Sequence, residues 1–582
     1  MAAQVPPRDL VVIALPGVQR LISEARSTSD VRAGSEIVGR LATVAAASCE
    51  QAGELVIPRE IGDPDGMPNR VVVLVPTGSG TLVAQEATVA VQREWQTLLG
   101  KVFPRSAAPR TPGMPNVQWV CVPDDGRGYG WQWSQAQSLL SARRRVRDFE
   151  PQEWTERSVC GLSPRWPAED VPPPNLKDHE KATLSATNWV KRRWRHLQGR
   201  DGFPSTPSIA SAPFRHRLLM MAAQDDISTA LTALHGAVQA VGAAGESPIA
   251  GLPPGTTPVT RWFSRSGGPW VYPERWQPRS LAGDTGREAA DLRAAVWDGR
   301  AALKRLIELA DQHGVRHPTD YLAVVVQDLD GMGRFLGGVG MNAAQATIPV
   351  DPDEHRSVSG RLGRLAAGQR QELRTADLLG VPVYVGGDDL LAFTPASTAL
   401  AAAQVCHDLI PPELPTASTA VLFFHYQTGL QTALTQAREL LETAKKTVRG
   451  KHALAVGYLR RSGVADCSVQ PWSGADGNSA ATLFAVFGRD AAHPLSPRLV
   501  TDLARDATEL TGLYSRDQAL HRAELTRLVR RHLGGDISGH ETAATEVTTA
   551  LLALGAGRGA GGGAADSASA AQVGVFLRQE AR

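Results

Sequence analysis

Two short stretches hold the residues best suited to chemistry, YLAVVVQDLDG at 321–331 and VYVGGDDLLAF at 383–393. Asp328 and Asp330 sit two apart at the end of an apolar run, so in a strand both project to one face. Asp388 and Asp389 are adjacent, between two glycines and a second apolar run. In a β-α-β-β unit the first and second strands can be neighbours, which would bring Asp328 beside Asp388. Three or four carboxylates at one spot repel unless a cation lies among them. Such hard oxygen donors suit Mg²⁺ or Mn²⁺, which bind through a few carboxylates plus substrate phosphates. Two such ions about 3.5–4 Å apart activate an attacking hydroxyl and stabilise a pyrophosphate leaving group.

The neighbours of these acids fit the same chemistry. Gly386 and Gly387 permit positive φ at a tight hairpin turn, and they remove side chains where a ligand's phosphates would approach. Lys445 and Lys446 end a helix in ELLETAKKTVRGKHALAV, with Arg449 and Lys451 in the turn after it. Lys445 is the first choice for a cation delivered to a triphosphate. Each feature also has a plainer account: Gly and Asp form turns for their own sake, and cations complement a helix C-terminus. Folding alone, however, has no use for so many uncompensated acids at adjoining strand ends.

The elements that must position these groups are legible around them. A helix at about 287–311 leads into the strand that carries Asp328. A basic amphipathic helix, HRSVSGRLGRLAAGQRQELRT, precedes the hairpin. A helix near 396–409, the strand TASTAVLFFHY, a long helix at 429–447 and the strand HALAVGYLR follow. This β-α-β-β-α-β order is the ferredoxin-like arrangement. The N-terminal stretch repeats part of it, with strands in DLVVIALP, ELVIPRE and NRVVVLVP and helices between and after them. The expected fold class is α+β, with two ferredoxin-like palm domains and helical domains between and after them. The expected division is 1–103, 104–285, 286–462 and 463–582, with a Gly/Ala-rich loop near 555–570.

At 582 residues the chain exceeds one hydrophobic core, and 61 Lys+Arg against 59 Asp+Glu argue against a bulk electrostatic grip on nucleic acid. Basic runs at Arg143–Arg147 and Lys191–Arg195 remain candidates for RNA backbone or partner subunits, whereas Trp189 and Trp194 read as packing residues. No long apolar run or leader-like N-terminus is present. Five scattered cysteines suit a reducing compartment. A cytoplasmic, multidomain protein is expected.

The motifs DLDGMG, YVGGDDLLAF and AKKTVRGKHA resemble the palm of nucleotide polymerases and of GGDEF-type cyclases, with Asp rather than Glu at 389. An ordered series is more similar to the large subunit of type III CRISPR effector complexes in the Cmr (type III-B) form. It runs through ALPGVQRLISEARSTSDVRAGSEIV, GMPNRVVVLV, LLSARRRVRDFEP, SATNWVKRRW, FPSTPSIA, EHRSVSG, HYQTGLQTALTQARELLETAKK and RRSG. The resemblance implies a first palm without catalytic acids facing the second across a cleft with room for two ATP molecules. It implies a nucleotidyltransferase that converts ATP to cyclic oligoadenylates when target RNA binds, in antiviral defence, with crRNA and other Cmr-type subunits as partners. By it, Asp328 and Asp388 carry the metals, Asp389 supports them, the Leu329 carbonyl contributes a ligand, and Lys445 holds phosphates.

Departures from that family shape two further expectations. No HD nuclease domain precedes the first palm, and His407-Asp408 reads as a helix end, so no DNase activity is expected. Cys160 has no nearby Cys, with His179 a distant substitute, so zinc is not expected. Two alternatives stay open: the same palm with a different nucleotide product, and an idle scaffold for the crRNA complex.

Overall fold

The computed structural model describes the chain except residues 1–6, 105–108, 110, 112, 147–157, 175, 177–181, 200–201, 243–244, 341–346, 461, 464, 474–476, 490–491, 556–563 and 582. Arg147, His179 and residues 556–563 of the Gly/Ala-rich loop lie outside the described residues.

The first sheet joins β1 (Arg8–Ala14), β2 (Glu54–Ile57), β3 (Arg70–Pro76) and β4 (Gln118–Val122) in the order β2-β3-β1-β4. Helices Thr28–Glu50 and Gly80–Val102 cover one face. β1 and β3 are apolar at nearly every position because both faces of this sheet are covered, not one. Ser27 and Asp30 start the first long helix by a reciprocal capping box. The expected boundary at 103 falls short, because β4 pairs antiparallel with β1. A Pro-rich loop and a length of only five residues hide that strand in the sequence. Helix Tyr129–Arg145 then packs Trp133 and Leu140 on the sheet's second face.

The second sheet has six strands: β5 (Tyr321–Leu329), β6 (Val381–Gly386), β7 (Asp389–Pro395), β8 (Ala417–His425), β9 (Ala453–Leu459) and β10 (Ala465–Pro471). Their order is β10-β9-β8-β5-β7-β6, so the four strands from β8 to β6 repeat the order of the first sheet. β9 runs parallel to β8, and β10 pairs antiparallel with β9. The expected boundary at 462 thus excluded an edge strand, whose polar sequence ADCSVQP does not look like one. The expectation that the first two strands of the unit are neighbours is also corrected: β5 pairs with β7, and β6 lies outside it. Only this arrangement lets a β-α-β crossover leave room for the returning hairpin strand.

Helix Leu430–Thr447 packs Ala433, Leu434, Ala437 and Leu441 on the sheet face carrying Val324, Val326, Leu391 and Phe393. Helix Ala399–Asp408 and C-terminal helices between Ala480 and Glu580 cover the other face. The last of these, Ala564–Glu580, already begins inside the segment expected to be loop. The two palms share an apolar core, in which Leu10, Val12 and Leu74 of the first meet Met332, Phe335 and Val358 of the second. Arg32 and Arg356 tie them further, donating to the carbonyls of Val383 (3.0 Å) and Leu55 (2.8 Å).

Between the palms, Lys191 and Arg192, the first two cations of the Lys191–Arg195 run, are structural. Lys191 is buried and donates to the carbonyls of Leu21 and Glu24, and Arg192 binds Asp30 through two hydrogen bonds. Trp189 and Trp194 are buried, as read. Cys160 is also buried, its sulfur accepting from the Asn188 amide at 3.3 Å. No helix among the described residues is long and apolar enough to cross a membrane.

Candidate active site

The VYVGGDDLLAF stretch forms a two-residue hairpin, with Gly386 paired to Asp389 and Gly387-Asp388 at the turn. Gly387 has φ 63°, the conformation that the first turn position of a II′ hairpin demands. The tip is fastened to β5, whose Leu329 N–H donates to the Asp388 carbonyl at 3.0 Å. Asp328 and Asp389 are direct partners in the β5–β7 register, so their side chains leave the same face of the sheet.

That face opens into a cavity of about 560 Å³ between the palms. Asp328, Asp389, Tyr384, Arg438, Glu442 and Lys445 line it from the second palm, and Gly17, Arg20 and Asn69 from the first; Arg144 joins them from the helix on its sheet. Lys445 Nζ lies 2.5 Å from Asp328 Oδ2 and 3.8 Å from Glu442. Burial opposes the lysine's charge, but Asp328, Glu442 and Asp330 outweigh it, so its pKa lies above the ordinary value.

The remaining acids are strained electrostatically. Burial pushes the Asp389 carboxyl well above its ordinary range, and Asp388 and Asp328 push it the same way. Asp388 stays reachable by solvent at the hairpin tip, yet protein crowds it enough to raise its pKa. Asp328 adds to that rise, while Arg70 and Lys445 oppose it. Burial, Asp389 and Asp388 likewise raise the Tyr384 phenol.

This donor set fits a divalent cation. Asp328 and Asp389 line the cavity, while Asp388 stays at the hairpin tip outside its lining. The three carboxylates repel one another, and Lys445 supplies the positive charge on Asp328. Among the described residues no three acidic, His or Cys groups are already arranged as a ligand sphere. Seating an ion therefore requires the carboxylates to re-aim, Asp328 away from Lys445.

Two expected site residues serve other ends. Asp330 shares the face but is turned toward β8. It accepts from Ser418 Oγ at 2.9 Å and from the His452 N–H at 2.9 Å, with Thr416 Oγ1 at 3.4 Å. Oδ2 thus clamps the turn after the long helix, where Lys451 and His452 take positive φ, and Oδ1 is held by Ser418 on β8. Asp330 does not line the cavity. Gly386 does not clear space for a nucleotide, because a Cβ there would lie 2.8 Å from the Gly66 carbonyl of the first palm. Gly387 does face open space. Arg449 is exposed in the turn, Lys451 acts on Asp330, and neither lines the cavity.

Sequence reading missed Arg70, Tyr384 and Arg438, and it took Arg144, within the Arg143–Arg147 run, for an RNA or subunit contact and not for a cavity residue. Arg438 was accessible to it: seven residues before Lys445, it shares that lysine's helix face. It donates to the Gln19 carbonyl at 2.7 Å, and Asp389 supports its charge. The His407-Asp408 pair ends a helix as expected. His407 stacks on Trp472 and reaches His452 at 2.9 Å.

Residues 321–455 match the family model "Cas10/Cmr2, second palm domain", and residues 10–149 match "CRISPR-associated protein Cmr2, N-terminal". The CRISPR system Cmr subunit Cmr2 of Pyrococcus furiosus is 28% identical over 181 residues. That alignment takes in 27% of this chain and only 21% of the relative. Two solved structures share the fold at low identity. The type III-B Cmr-beta structure in the apo state has TM-score 0.58 and 13% identity, covering 93% of this chain and 82% of that one. The same complex bound to cognate target RNA has TM-score 0.60 and 14% identity, covering 95% and 83%.

Proposed function

We propose, for a chain that belongs to the Cas10/Cmr2 family of CRISPR-associated proteins, that it is the large subunit of a type III-B RNA-guided complex. Other Cmr-type subunits, crRNA and target RNA are its partners, and the cavity between the palms joins ATP molecules into cyclic oligoadenylates. The 3′-oxygen of one ATP forms a bond to the α-phosphorus of the next. The bond from that phosphorus to the bridging oxygen breaks, and pyrophosphate leaves.

The observation that supports this most is the Asp328–Asp389 pair, side by side in register and opening on a cavity that also holds Lys445. When bound there, Mg²⁺ or Mn²⁺ supplies Lewis-acid activation of the 3′-hydroxyl and charge neutralisation at the leaving group. Asp328, Asp388 and Asp389 would hold it. Lys445, released from Asp328, is placed to bind phosphate oxygens, and Arg438 backs it from the same helix. Arg70 and Arg144 bring positive charge from the first palm's side, which suits the second triphosphate. The open side of Gly387 leaves the hairpin tip clear for substrate.

Mass analysis of products from the assembled complex with ATP, Mg²⁺ and target RNA tests this. Cyclic oligoadenylates that vanish with Asp389→Asn are expected. A linear or mixed product would keep the palm chemistry and change the acceptor. No nucleotide product under any condition would leave the chain a scaffold.

A further inference from the structure

A second cavity, of about 320 Å³, lies away from the paired acids, between helix Thr28–Glu50, helix Ala186–Leu197, the 247–250 loop and the start of β6. Three of its cations are already satisfied. Arg32 binds Glu36 at 2.7 Å and also Asp65, Arg192 binds Asp30, and Lys191 is held by backbone carbonyls. Arg195 and Arg374 are different. Among the described residues, neither guanidinium forms an ion pair with a carboxylate. Burial, Arg32 and Arg370 all lower the pKa of Arg374, with Asp65 and Asp63 only partly offsetting them. Arg195 Nε donates to His196 Nε2 at 3.2 Å, and both guanidiniums border the cavity without such a partner. Phe203, Pro248, Ile249 and Pro382 supply apolar lining, with the Arg32 guanidinium 6.0 Å from the Phe203 ring centroid.

We propose that this cavity is a binding site for a nucleoside monophosphate unit, its phosphate on Arg195 and Arg374 and its base against Phe203 and the prolines. Paired guanidinium forks favour phosphate over other anions. A volume of this size suits a small molecule, and a mostly apolar lining with a few fixed charges is how such sites recognise one. Stacking on Phe203 is tolerant of base identity. The unit can come free in solution or as one residue of an RNA strand. The site does not depend on the catalytic reading, because it shares no lining residue with the acid-bearing cavity. Occupancy would be felt at β6, since Arg32 in its wall donates to the Val383 and Pro382 carbonyls.

Equilibrium dialysis of the full chain with radiolabelled 5′-AMP in EDTA provides the test. The wild type should bind, and Arg195→Ala/Arg374→Ala should bind at least about tenfold more weakly. Asp389→Asn/Lys445→Ala, which disables the other cavity, should bind as the wild type does. Arg195→Lys/Arg374→Lys, which keeps the charge, should retain part of the affinity and show that loss is not misfolding. Inorganic phosphate should compete and adenosine should compete poorly. A short single-stranded RNA that displaces AMP makes the strand the source; one that does not makes free nucleotide the source. Hydrogen exchange should slow at 381–386 on saturation. Wild-type affinity in the Arg195/Arg374 alanine variant, loss of binding in the Asp389/Lys445 variant, or no binding to the wild type would overturn the proposal.

Discussion

The two palms are the same four-strand design used with opposite electrical signs. In the second, the last register pair of the central strands is Asp328–Asp389; in the first, the corresponding pair is Ala14–Arg70. Asn69-Arg70 thus stands where the second palm has Asp388-Asp389. The first palm has not merely lost acids: it presents a cation that offsets the charge of Asp388 across the cleft. The second palm alone also carries the β8–helix–β9 extension that delivers Lys445 to Asp328. One copy of the design concentrates negative charge and the other answers it.

The strongest way to break this comparison is at the acid pair. Asp389→Asn should lower nucleotidyl transfer about a thousandfold or more, read from radiolabelled ATP turnover by the assembled complex. The same substitution should stabilise the fold. A carboxyl whose folded pKa is raised costs nothing below its unfolded pKa, and the cost grows as pH rises through the folded value. The variant should therefore melt above the wild type at about pH 8, the gap closing toward about pH 4. A lower melting temperature at the higher pH would contradict the charge crowding at Asp389.

Lys445→Ala comes next, with an expected loss of about a hundredfold in turnover. Calorimetric titration should show tighter metal binding in this variant, since Asp328 no longer has a competing ammonium. Arg70→Ala sharpens the contrast between palms. It should reduce turnover about tenfold, the scale of one charge-assisted hydrogen bond. Wild-type rates would make the first palm an inert wall. The smallest effect is structural: Gly386→Ala pushes a methyl into the Gly66 backbone and should cost about 1–3 kcal/mol in urea denaturation.

Sequence reading put Asp388 beside Asp328, whereas the β5–β7 register pairs Asp328 with Asp389. Only the presence of acids at a strand end and a hairpin tip was legible, because period-2 alternation and a glycine turn are local rules. What the other acids do was not. Asp330 obeys the same alternation as Asp328, but its role was decided by Ser418 and by a backbone N–H 122 residues away. Gly386 looked like a ligand's clearance because nothing local reveals that Gly66 backs onto it. Arg70 reads as the first residue of an ordinary buried strand until the palms are docked. The same holds for Lys191 and Arg192, whose charges looked like a surface and are spent on carbonyls and Asp30. β4 and β10 escaped for a different reason, since short or polar edge strands carry little periodic signal.

The apolar seam joining Leu10, Val12 and Leu74 to Met332 and Phe335 has a mechanical consequence. Packed interiors hardly compress, so a tilt of the N-terminal sheet cannot be absorbed at the seam. It must pass to the short Met332–Phe335 helix, which starts two residues beyond Asp330. A force applied far from the cleft, on the outer side of the N-terminal unit, thereby acquires leverage on the strand end that carries Asp328.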